Sequence, residues 1–182
     1  MTEPTPLQAL LVDSFNRVRE LVVDLTDGLT EETATYRADP EANTIAWLIW
    51  HLTRTQDDHV AGLAGTPQRW PEWRAEFGLP FSDWETGYDQ TAEEVEAVRV
   101  GSELLGRYHA DVHSLTLDYL NSFTDDEAAR VVDTNWDPPV TAAVRLVSVL
   151  GDILQHLGPA GYVRGLAERH GRAWHDPAAA DR

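Results

Sequence analysis

The chain has 182 residues, 42% of them apolar, and its 31 acidic against 14 basic side chains give a net charge of −17. That length suits one hydrophobic core, and the apolar share with seven Trp excludes a disordered chain. With neither Cys nor Lys present, disulfides, thiolate ligands, a thiol nucleophile and a lysine Schiff base are excluded.

Leu7, Leu11, Val18, Leu21, Val22 and Leu25 recur at three- and four-residue steps and predict a first amphipathic helix, ended by Gly28. The polar stretch through Asp39-Pro40 reads as a loop. Asn43 or Thr44 caps a second helix through Ile45, Leu48, Leu52 and His59 to about Leu63. Residues 65–90 hold prolines and glycines together with Trp70, Trp73, Phe77, Phe81, Trp84 and Tyr88, an aromatic-rich connection too apolar for a flexible linker. Thr91 and Glu94 form a capping box for a short helix to about Val98.

Ser102 is placed to cap a third long helix with Leu105, Tyr108, Val112, Leu115 and Tyr119 on one side. Thr124 and Glu127 repeat the capping-box pattern, and Asn135 to Pro139 reads as a turn. The last helix runs from Thr141 to about Arg169; its first half, Val144 to Leu157, is apolar on nearly every face and therefore predicted to be buried. Pro159 predicts a kink just past His156. No strand pattern is evident. The expected architecture is an all-α, up-and-down four-helix bundle, one domain over residues 1–170 with a flexible tail at 171–182.

No basic residue precedes an apolar stretch between Met1 and Pro6, so no secretion signal is expected and the expected location is cytoplasmic. The acidic surface would repel phosphate backbones and anionic lipid, and no apolar run approaches the roughly 20 residues of a membrane span. Neither nucleic acid nor membrane is an expected partner; an exposed helix face leaves a homodimer open.

Three ionisable residues stand in the apolar run from Val144 to Leu157: Arg145, Asp152 and His156. A bare carboxylate is costly there. Asp152 and His156, four apart, project from one helical face and can meet one ion. His51, in the equally apolar Trp47-Leu48-Ile49-Trp50-His51-Leu52, is a candidate third donor. Two nitrogens and one oxygen suit Zn²⁺ first and Ni²⁺ second, and three protein ligands leave positions open for water or substrate. Periodicity alone leaves other readings standing. His51 could be a hydrogen-bonded core histidine, Asp152 could pair with Arg145 or His156, and His109 with His113 offers an equivalent pair on the third helix. Asp57-Asp58 reads as a solvated helix face, with His59 and Asp58 as conceivable supports for His51.

The stretch Asn43 to Leu52 resembles the second-helix signature of the DinB-like superfamily, and Asp152 to Gly158 followed by Tyr162-Val163-Arg164-Gly165 resembles its fourth-helix signature. Trp73 to Pro80, Pro138-Pro139-Val140-Thr141 and Val144 to Val149 resemble the actinobacterial subgroup described as mycothiol transferases. The resemblance implies a metal held by His51, Asp152 and His156. It also implies a low-molecular-weight thiol, mycothiol, that is activated to attack an electrophilic small molecule. Weaker expectations follow for Arg145 and Arg164 as steering groups and for Trp47, Trp50 and Trp136 as pocket walls. Two departures stand out. Asp152 occupies a position that is often histidine, and Pro159 follows Gly158 where related chains tend to carry glutamine. A metal-dependent hydrolase or isomerase on the same scaffold, or a non-catalytic stress-response or binding protein, are the alternatives.

Overall fold

Capping sets where most of the helices begin. In the computed structural model, which describes residues 3–174 and side chains through residue 169, Thr5 accepts from the Gln8 amide and opens α1 (Pro6–Thr26). Thr30 does the same for the one-turn α2 (Glu31–Ala34), a helix inside the predicted loop. Thr44, rather than Asn43, caps α3 (Ile45–Ala64) through the Trp47 amide, and Gly65, at a φ of 68°, ends it in the left-handed region.

The aromatic-rich connection contains α4 (Trp70–Phe77), with Pro71 in its first turn and Gly78 at its end. The full Thr91 and Glu94 capping box precedes α5 (Ala92–Ala97). The long α6 (Ser102–Asn121) begins without a side-chain cap: Gly101 holds the N-cap position, and Ser102 is already helical. Thr124 caps α7 (Asp125–Ala129), but Glu127 turns away from the reciprocal bond to meet Tyr119 and Arg130.

A small antiparallel hairpin departs from the all-helical expectation: β1 (Val131–Asp133) pairs with β2 (Val140–Thr141) in the register Val131 to Thr141 and Asp133 to Val140. The predicted turn forms its tip. From β2 the chain passes directly into α8 (Ala142–Trp174), a helix that continues across Pro159. Residues 171–174, expected in the tail, extend that helix, and 175–182 lie outside the described residues.

The four long helices close a ring in which α3 packs on α8 and α6, and α1 packs on α6 and α8. Consecutive long helices α1 and α3 therefore stand diagonally across the bundle, as do α6 and α8. Phe15, Val18 and Val22 of α1, Ile45, Ile49 and Leu52 of α3, Leu105 and Val112 of α6, and Leu146, Val149 and Ile153 of α8 fill the middle. No described helix is long and apolar enough to cross a membrane.

The expectation that α8 is buried all round is corrected. Leu146, Val149, Ile153, Leu157 and Ala160 face the core, whereas Val144, Val147, Leu154 and Tyr162 are exposed. Those four follow one another at three-, seven- and eight-residue steps on the opposite side of the helix, so the run is a core face backed by an uncharged outer face.

Candidate metal centre

Because α3 and α8 are neighbours, they bring residues far apart in sequence together at one place. His51 projects from the second turn of α3, and Asp152 and His156 project from α8 one turn apart. One donor atom from each of the three lies within 4.8 Å of the others, the only such group of three among the described residues. His51 Nε2 is 3.1 Å from His156 Nε2, and His156 Nε2 is 3.5 Å from Asp152 Oδ1.

Hydrogen bonding fixes the protons. His51 Nδ1 donates to the Thr86 carbonyl at 2.5 Å, and a carbonyl only accepts. Nδ1 thus carries the hydrogen and Nε2 presents a lone pair. His156 Nε2 can then donate within the cluster, but one proton is shared between two acceptors. Asp152 Oδ2 is buried without any partner. A small cation between the three side chains would satisfy all of these atoms together, and two imidazoles with one carboxylate are a borderline-divalent donor set.

Trp47, one turn before His51, lies flat on its ring with centroids 4.7 Å apart and planes 9° from parallel, and meets His156 edge-on. Burial pushes the His51 pKa down and so favours the neutral, ligating form. The hydrogen bond from His156 holds Asp152 below the usual carboxylate range against its partial burial. The His156 and Asp152 side chains are 23% and 39% exposed, so the cluster is shallow and its outer side faces solvent.

The other predicted residues scatter. Arg145 pairs with Asp133 of β1 at 3.0 Å, which ties the hairpin to α8. Arg164 donates to the carbonyls of Asp24, Leu25 and Asp27 and to Glu168, and so caps the end of α1. Trp50 has no exposed surface and packs against Trp70 and Phe81. Trp136 is 67% exposed on the hairpin tip. His59 lies outside the cluster, its pKa lowered first by burial, with Asp152 and Arg145 both acting on it.

The rival pair is a core feature. His109 is fully buried, shares its Nδ1 with the Thr53 hydroxyl, and has its pKa lowered to about 3, chiefly by burial. His113 binds the Asn16 side chain.

Asp57 corrects the expectation of a solvated face. It is fully buried, accepting from the Arg69 and Trp70 amides at 2.8 Å each, from Tyr108 at 2.9 Å and from Arg54 at 3.3 Å. Sequence reasoning missed Asp57 together with Arg54 and Tyr108. Their signal was present, since Arg54 and Asp57 are three apart on an otherwise apolar helix. A cavity of about 480 Å³ lined by Gln68, Arg69, Leu115 and Tyr119 lies beyond the C-terminal end of α3, roughly 20 Å along the helix from His51.

The all-helical bundle, with its single two-stranded hairpin among the described residues, has the DinB-like fold. The chain matches the Mycothiol-S-transferase family over residues 10–168 and belongs to it. It is also similar to the crystal structure of the conserved protein of a locus from Enterococcus faecalis, with 31% sequence identity and a TM-score of 0.82, covering 90% of this chain and 98% of that one. No curated protein matches it.

Proposed function

We propose that the protein is a metal-dependent thiol transferase that joins mycothiol to an electrophilic small molecule in the cytoplasm. Membership of the Mycothiol-S-transferase family supports the thiol and the class of reaction. The observation that carries the metal is the convergence of His51 Nε2, His156 Nε2 and a carboxylate whose Oδ2 has no other partner. His51, Asp152 and His156 would hold one divalent cation, zinc first and nickel second, with one negative charge from Asp152 against two positive ones. Such a cation lowers the pKa of a thiol that reaches it, so that thiolate is available at neutral pH.

The chain's own groups do the rest. Trp47 covers one face of His51 and shuts water out from that side, while the solvent-facing side of the cluster admits the thiol. The thiol proton passes to water on the open side, the sulfur forms a bond to the electrophilic carbon, and the leaving group departs with the electron pair of the bond that breaks. With no cysteine in the chain, the sulfur must come from the small thiol.

The test is turnover of a chlorinated fluorogenic electrophile by zinc-loaded protein with and without mycothiol. Thiol-dependent turnover that disappears in His156→Ala is expected. Equal turnover without thiol would move the protein to the hydrolases, and a purified chain that takes up neither zinc nor nickel would end the metal reading.

A further inference from the structure

Residues 82–90 cross the chain's second long helix behind the cluster, and α3 grips them at three points. The Arg54 guanidinium donates to the Glu85 carbonyl at 3.0 Å and to the Asp83 carbonyl at 3.1 Å. His51 Nδ1 donates to the Thr86 carbonyl. Trp47 Nε1 donates to Gln90 Oε1 at 2.7 Å. Residues 47, 51 and 54 follow the helical repeat, so one stripe of α3 holds the whole segment.

The segment can approach so closely for a reason visible at one residue. A Cβ on Gly87 would stand 2.6 Å from His51 Nδ1, 3.1 Å from the Trp50 ring and 3.2 Å from the Trp47 ring, and the Gly87 φ of 100° lies where L side chains rarely go. Any other residue would push the Thr86 carbonyl off the imidazole. Arg54 is itself immobile: it has no exposed surface, and Asp57 and Tyr108 hold its remaining nitrogen at 3.3 and 3.4 Å. The planar fork reaches two carbonyls and a carboxylate together, which an ammonium cannot do.

We propose that Arg54 and Gly87 are positioning residues for the metal centre, which hold the Thr86 carbonyl on His51 Nδ1 and so aim a bare Nε2 at Asp152 and His156. This rests on the metal reading above. Neutral free histidine favours hydrogen on Nε2, the tautomer that could not ligate through that atom; the clamp reverses that preference before any ion arrives. An acceptor behind a ligating histidine fixes its tautomer and orientation, and its loss typically weakens metal affinity about 10–100-fold.

The experiment is nitrogen NMR of histidine-labelled, metal-free protein at neutral pH, followed by calorimetric titration with zinc. Expected are an Nδ1–H signature for His51 in the wild type, its loss in Gly87→Ala, and a zinc affinity reduced about 10–100-fold in both Gly87→Ala and Arg54→Lys. An Nε2–H signature for His51 in the wild type overturns the clamp, and so does undiminished zinc affinity in both variants. The wild-type tautomer needs no variant, so the clamp can be overturned even if Gly87→Ala does not fold. Nδ1–H in a wild type that binds no zinc would uphold the clamp and remove the metal reading, so the two fail separately.

Discussion

The Trp47 indole is stacked on the His51 imidazole, 4.7 Å between centroids and 9° from parallel. That contact places a fluorophore directly against a predicted ligand. Loading with paramagnetic Ni²⁺ should therefore quench the tryptophan emission, and Trp47→Phe should lose most of that quenching. A Trp47→Phe protein quenched as fully as the wild type, while calorimetry still shows binding, would place the ion elsewhere.

Asp152 supplies the one negative charge of the cluster. Asp152→Asn keeps the shape and removes the charge, and should weaken zinc at least about tenfold, or about 1.4 kcal/mol. Asp152→His offers a third nitrogen and should bind nickel more tightly than the wild type. Isothermal titration of both variants checks the pair; unchanged affinity in Asp152→Asn would remove this residue from the site.

Asp57 is surrounded by four donors and has no exposed surface. Asp57→Ala strands the buried Arg54 charge and should cost about 3–5 kcal/mol. Tyr108→Phe removes one donor and should cost about 1–3 kcal/mol. Denaturant unfolding measures both, and a loss under about 1 kcal/mol for Asp57→Ala would contradict the network.

His109, with its pKa lowered to about 3, stays neutral in the fold but takes up a proton when unfolded near its ordinary value of 6.5. The unfolded state then binds more protons between those limits. Stability is complete above about 6.5 and falls with decreasing pH toward 3, at up to about 1.4 kcal/mol per pH unit from this group. His109→Gln should flatten the melting temperature profile between about pH 6.5 and 4 relative to the wild type. Parallel profiles would show that His109 does not set it.

Arg164 donates to three carbonyls at the end of α1. Arg164→Met should lower the melting temperature, at about 1.5–3 kcal/mol for charge-assisted bonds, while zinc affinity and the Michaelis constant for the thiol stay unchanged. A selective rise in that Michaelis constant would return Arg164 to the substrate.

The long helices were legible because each combines an apolar period with a local cap, as Thr44 and the Thr91 and Glu94 box illustrate. His51, Asp152 and His156 stand out in the sequence as ionisable groups in apolar runs, and family resemblance rather than spacing prefers them to His109 and His113. The hairpin was illegible, since three residues against two are too short to alternate. The burial of Asp57 was hidden because two adjacent aspartates look solvated, and three of its four partners lie on other elements. The outer face of α8 misled for the opposite reason: apolar residues there carry no mark that separates core from surface. The Thr86 carbonyl belongs to the backbone, so nothing in the residue type announces it.

Positions 51 and 156 meet across 105 residues of chain. An ion gripped by them would act as a tether, closing α4 through α7 and the hairpin into one long ring and depriving the unfolded chain of part of its freedom. The entropy removed grows only as the logarithm of ring length, so doubling the ring would add only about 0.6 kcal/mol. The first helix lies outside that ring. Its exchange with solvent, like that of α8 beyond His156, would gain less from metal than that of any segment between the two histidines.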